Sequence, residues 1–171
     1  MRVITDLKRW AALRRKWRGK GFSVGFVPTM GALHAGHVSL VERSVREHDR
    51  TVVSVFVNPT QFNDKSDLSR YPRTPRKDAA LLTRAGADCL LMPDFSALYP
   101  DGYAYRVSES RNSKFLCGAS RPGHFDGVRT LAAKDIHDPL LARVVVLRDG
   151  KLSLAIVSVD LLLFSSQKVV T

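Results

Sequence analysis

The sequence predicts an α/β domain built on a parallel sheet, followed by a β-hairpin. Apolar β-rich runs alternate with helical patterns in the order strand, helix, strand, helix, strand. The connections between them are short, which calls for parallel strands joined by right-handed crossovers. After about Thr130 the pattern changes to two β-rich runs around "RDGK", where Asp149-Gly150 is a hairpin signal.

Each element has its own signal. Thr5 or Asp6 can cap a first helix, and Gly19 or Gly21 can end it. Val3, Leu7, Trp10, Leu13 and Trp17 recur along it at helical spacing. "FSVGFVP" reads as a buried strand, with its core at residues 24–27. "HVSLVERSVREH" places Val38, Val41 and Val45 on one helical face. Residues 52–57 lie in "TVVSVFV", a nearly unbroken β-branched run typical of a strand covered on both faces. A helix is expected from near Pro75 to Gly86, and a third strand at residues 89–92. The domain is expected to span residues 1–130, with residues 131–171 a tail whose hairpin packs on or beside it.

Composition narrows the function classes. A chain of 171 residues with 44% hydrophobic and 25% charged residues has the make-up of a soluble globular protein. No apolar run reaches the roughly 18–20 residues that cross a bilayer. Cys89 and Cys117 form no disulfide framework, so a cytoplasmic setting is expected. The net charge of +11 is concentrated early, at Lys8, Arg9, Arg14, Arg15, Lys16, Arg18 and Lys20. That cluster suits either a nucleic-acid patch or the solvated face of an amphipathic helix. The helical face is preferred, with the tryptophans packed on the sheet. A small anionic substrate also suits a basic protein, and no specific nucleic-acid partner is expected.

The chemistry is expected where the first buried strand becomes a helix, in "FVPTMGALHAGHVSLV". In open α/β sheets ligands bind beyond the carboxyl ends of strands. His34 and His37 lie just past such an end, beside Gly31 and Gly36. A helix amino terminus attracts phosphate, and glycine lets backbone approach it. Two imidazoles there can donate to phosphoryl oxygens as charge develops. The site suits attack on a nucleotide α-phosphate. His-x-x-His could instead hold a metal, but no third ligand stands at a convincing spacing, and no metal site is assigned. Simple helix capping is the remaining alternative.

"VPTMGALHAGHVSLV", "VSVFVNPTQF", "YPRTPRKD", "LYPDG" and "RPGHFDGVRT" occur in the order found in pantothenate synthetases, the pantoate–β-alanine ligases. Over about residues 1–130 the chain resembles that family. The resemblance implies a Rossmann-like fold of the His-x-Gly-His nucleotidyltransferase type. It also implies ATP-dependent activation of pantoate to pantoyl adenylate, then condensation with β-alanine to pantothenate. ATP is a substrate, accompanied by Mg²⁺ with no ligands assigned. Pro28, Thr29, Met30 and Gly36 would line the ATP site, and His34 and His37 would bind its phosphates and serve catalysis. Asn58, Gln61 and Arg121 would hold pantoate, with His124 in the same "RPGHF" loop. Asp78 would do no more than stabilise a helix amino end. A homodimer is also implied, while the expectation of no membrane partner rests on the lack of a long apolar run.

The family pattern continues with a Gly-Glu-Lys-Asp element and a Met-Ser-Ser-Arg-Asn loop, which complete the phosphate site. Neither occurs here; "KD" at Lys134-Asp135 has other neighbours. About residues 135–165 weakly resemble a strand–turn–strand segment of neutral-ceramidase-like hydrolases. His137 and Asp138 read as cap residues there. The chain thus reads as a chimera-like join of unlike parts with low or absent ligase activity. The alternative is a non-catalytic α/β scaffold that binds ligand or serves structure.

Overall fold

The structure is a computed structural model that describes residues 1–104, 108, 117–128, 143–149 and 152–158. Two compact units divide the chain, Met1–Gly102 and Tyr103–Thr171.

The first unit holds four strands: β1 (Arg2–Ile4), β2 (Val24–Thr29), β3 (Arg50–Val55) and β4 (Cys89–Leu91). Their order is β1-β4-β3-β2, and every pair is parallel. The three expected strands are therefore neighbours in sequence order, as short crossovers require. Four helices lie between them, α1 (Leu7–Gly19), α2 (Ala35–Glu47), α3 (Lys65–Arg70) and α4 (Pro75–Arg84), and α5 (Phe95–Leu98) follows β4.

Successive residues of a strand face opposite sides, and the two sides here have different covers. Val52, Cys89 and Leu91 pack with Leu13 and Trp17 of α1. Val53 and Leu90 pack with Val27, Val41 of α2 and Leu82 of α4. This two-sided burial explains the unbroken apolar run of β3. Trp10 meets Trp17 edge to face at 6.1 Å, so the tryptophans serve packing. Asp6 caps α1 by accepting the Lys8 N–H at 2.7 Å.

Three details differ from the sequence expectation. Val3 lies in β1, not on the helix, and is exposed. The β1 backbone pairs with β4, so pairing outweighed helical spacing in this short segment. On α2, Val41 is fully buried but Val45 is exposed, and Ser44 takes the inward place. Ser44 bonds Thr51 of β3, Oγ to Oγ1 at 2.8 Å, which satisfies both buried hydroxyls. Helix α3 was not expected; Asp64 caps it through the Ser66 N–H at 2.7 Å.

In the second unit α6 (Cys117–Ser120) is followed by β5 (Arg143–Asp149) and β6 (Leu152–Ser158), which pair antiparallel. Gly150, Lys134, His137 and Asp138 lie outside the described residues.

Candidate active site

Strand β2 delivers the chain to the carboxyl rim of the sheet. Its last residue, Thr29, is fixed sideways: Thr29 Oγ1 donates to the Ser54 carbonyl at 2.7 Å and accepts the Gly31 N–H at 3.2 Å. The backbone then turns through positive φ at Gly31 (83°) and Ala32 (50°). Glycine is required at the first of these. A Cβ there would stand 3.0 Å from Val55 Cγ1 and 3.3 Å from Asp78 Oδ2.

Asp78 holds this turn. It belongs to the first turn of α4 and is 1% exposed. Its Oδ2 accepts the Ala32 N–H at 3.1 Å and its Oδ1 the Leu33 N–H at 2.9 Å. Thr74 Oγ1 also donates to Oδ1, at 3.1 Å. The expected role of Asp78, stabilising a helix end, is too small. Its carboxylate ties α4 to the loop that aims the histidines.

His34 is the N-cap of α2 and is itself extended. Its Nδ1 accepts the Gly36 N–H at 3.1 Å, while His37 Nδ1 accepts the His34 N–H at a longer 3.4 Å. The pair forms a reciprocal capping box made of imidazoles. The rings lie 4.1 Å apart, tilted by 50°. A Cβ on Gly36 would crowd the His34 ring at 3.1 Å. Because each Nδ1 accepts, each neutral ring carries its proton on Nε2. Capping and phosphate recognition are thus not rivals: one nitrogen of each ring caps, and the other is left as a donor.

Partial burial lowers the His37 pKa first, and the charge of His34 lowers it further, while Asp78 acts the other way. His37 is therefore a neutral donor near neutral pH. Cys89 offers no nucleophile, since burial pushes its thiol up to about 11.

Gln61 and Asn58 follow β3. Val55 pairs in register with Thr29, so their loop leaves the same rim as the histidines. Gln61 is buried and ends a short 3₁₀ turn, Pro59–Gln61. Asn58 is fully buried and caps that turn. Its Oδ1 accepts from Thr60 N–H at 3.3 Å, Thr60 Oγ1 at 2.9 Å and Tyr99 OH at 3.3 Å. A cleft of about 240 Å³ opens beside the turn, lined by Met30, Gly31, Phe56, Arg73 and Pro93 among others. Met30 is the expected site residue that lines it. Arg73, a cation on this cleft, was missed, although "YPRTPRKD" displays it just before α4. Pro28 is exposed on β2. Arg121 and His124 belong to the second unit, where the Arg121 carbonyl accepts the His124 N–H at 3.1 Å.

The paired imidazoles thus stand on a strand-to-helix turn at the carboxyl rim of a parallel sheet. The family model for pantoate-beta-alanine ligase matches residues 2–139. The chain belongs to this family. The match reaches beyond Thr130 into the stretch containing Lys134, His137 and Asp138. The pantothenate synthetase of Paramagnetospirillum magneticum is 56% identical over 127 residues, covering 72% of this chain and 45% of that protein. The Bdellovibrio bacteriovorus pantothenate synthetase is 48% identical, covering 77% of this chain and 51% of its own length. Among solved structures, the pantoate-beta-alanine ligase of Francisella tularensis, complexed with beta-gamma ATP and beta-alanine, superposes with a TM-score of 0.75. It is 40% identical, over 78% of this chain and 51% of that one. Pantothenate synthetase from Thermus thermophilus gives a TM-score of 0.67 at 46% identity, over 78% and 47% of the two chains. The chain spans about half the length of the curated relatives it matches. Among the described residues, no helix is long and apolar enough to cross a membrane.

Proposed function

We propose that this chain carries the nucleotide-activating half of a pantothenate synthetase site. In the reaction, a carboxylate oxygen of pantoate attacks the α-phosphorus of ATP. The bond to the bridging oxygen breaks, and pyrophosphate leaves with the electron pair. The amine of β-alanine then attacks the acyl carbon of pantoyl adenylate, expelling AMP and losing a proton. Mg²⁺ enters with ATP as part of the substrate.

The observation that carries this proposal is the tautomer fixed by the capping box. Both Nδ1 atoms accept backbone N–H groups, so both Nε2–H groups are donors at the amino end of α2. A developing negative charge on phosphoryl oxygens meets them there, together with the helix dipole. Thr29, Met30 and Gly36 bring backbone close to the nucleotide, beside Pro28. Gln61 is assigned to pantoate, with the buried Asn58 shaping the pocket beside it, and Arg121 is a pantoate-binding candidate from the family motif.

The test is pyrophosphate release that depends on both ATP and pantoate, and AMP release on adding β-alanine. Each of His34→Ala and His37→Ala should lower whatever rate is seen by about 10²–10³. For the 171-residue chain alone, pantothenate formation near background is expected, because phosphate charge needs several donors in the transition state. A non-catalytic scaffold is the second possibility. It is favoured if ATP binding is indifferent to both histidines.

A further inference from the structure

We propose that the amino rim of the sheet holds a second anion site, which takes a compact chain of linked phosphates. Strands β1 and β3 begin at Arg2 and Arg50, and Asp88 immediately precedes β4. In a parallel sheet these residues share one rim, opposite the rim that carries the histidines. A cleft of about 300 Å³ opens there, lined by Arg2, Lys16, Lys20, Phe22, Arg50 and Asp88 above Leu13 and Trp17. The basic cluster of the first twenty residues thus contributes to a concave site, and does not only solvate a helix.

Charge is unbalanced in this cleft: four cations face one carboxylate. That carboxylate is already engaged. Asp88 Oδ2 accepts the Thr51 N–H at 2.8 Å, and Oδ1 lies 3.6 Å from Arg50 Nη1. Arg50 Nη1 also donates to the Asp49 carbonyl at 2.7 Å. The Arg50 guanidinium sits 4.5 Å from the Phe22 ring centre, and Lys20 Nζ 6.0 Å from the same ring. An aromatic face orients cations without neutralising them. Lys16 stands in the last turn of α1 and Lys20 is its C-cap residue, and both line the cleft beside the buried Leu13 and Trp17. The carboxyl-end dipole of α1 offsets only about half a charge.

A ligand that gathers several negative charges into a small volume relieves this repulsion. The cations converge from three elements on one hollow, which suits a short oligophosphate better than an extended duplex. Both faces of the Phe22 ring need not be open to a base, because the phosphate chain alone supplies the charge. Inorganic triphosphate and the tail of a nucleoside triphosphate share that chemistry.

The experiment is calorimetric titration of the full chain with inorganic triphosphate and with ATP. In the His34→Ala/His37→Ala variant, triphosphate should still bind, and ATP should bind no more tightly than triphosphate. Adding Lys16→Ala and Lys20→Ala should weaken triphosphate about tenfold or more, as the loss of charge-assisted bonds implies. Lys16→Arg with Lys20→Arg should keep binding. Both lysines are exposed, so the urea midpoint should not move. The proposal is overturned if the lysine variants bind like the parent, or if the histidine variant alone abolishes triphosphate binding. It is also overturned if a short duplex outcompetes triphosphate and is weakened by Lys8→Ala with Arg15→Ala.

Discussion

Asp78 and Leu33, 45 positions apart, are joined by a 2.9 Å hydrogen bond from the Leu33 N–H to a buried carboxylate. The bond, with its neighbour to Ala32, carries the position of the histidine turn from β2 to α4. Asp78→Ala leaves two N–H groups and the Thr74 hydroxyl without this acceptor. Each buried unsatisfied group costs about 1–3 kcal/mol. A loss of roughly 2–5 kcal/mol in urea unfolding is expected, together with weakened ATP binding. Unchanged ATP affinity in the folded variant would mean that the turn holds itself.

Substitution at His34 separates its two roles. Asparagine is a good N-cap and keeps an acceptor at the δ position, but it has no counterpart of the Nε2 donor. His34→Asn should therefore retain stability within about 0.5 kcal/mol, while ATP binding weakens. His34→Ala should lose both, with a stability cost of about 1 kcal/mol. Equal ATP affinity in His34→Asn and the parent would restrict this histidine to capping.

The pH dependence of stability follows from His37. Its pKa is lowered from the ordinary 6.5 by burial and then by His34. The unfolded chain therefore takes up this proton first as pH falls below about 6.5, and protonating the folded ring breaks its acceptance from the His34 N–H. Stability contributed by the neutral ring is present above that pH and lost as pH falls toward the lowered value. Urea midpoints between about pH 7.5 and 5 should decline in the parent and decline less in His37→Asn. Parallel curves would remove His37 from the account.

Gly31→Ala tests the turn itself. At φ 83° an added Cβ is strained, and it would also press on Val55 and Asp78. A cost of about 1–3 kcal/mol is expected from the backbone alone. ATP binding should fall with it. Thermal unfolding and ATP titration of the same sample check both.

The fold of the first unit was legible because its signals are local and repeated. The β-branched run of β3 and the capping and glycine signals around α1 each name an element without reference to the rest. Val3 misled because a three-residue strand is too short to show a period, and its pairing with β4 lies far along the chain. The histidine turn was legible as a strand-to-helix turn, since strand, glycine and helix stand in sequence there. Which nitrogen of each imidazole caps was not, because that is a matter of ring orientation. Asp78 was undervalued for a related reason. Its partners lie in another segment, and nothing in "RKDAA" points to them. The role of Asn58 as a buried cap linked to Tyr99 was hidden likewise, 41 positions separating the two.

Strand β2 carries the histidine turn and is also the last strand of its sheet, pairing among the described residues with β3 alone. Ser23 and Thr29 direct their carbonyls toward β3, so by the alternation of a strand the backbone of Val24, Phe26 and Pro28 turns outward. Proline brings no N–H to that open flank. The row of donors that another chain would need for zippering therefore stops at Phe26. Among the described residues, Pro28 thus breaks the donor row of this flank, one residue before the threonine that fixes the histidine turn, and a strand edge so interrupted is a poorer template for aggregation.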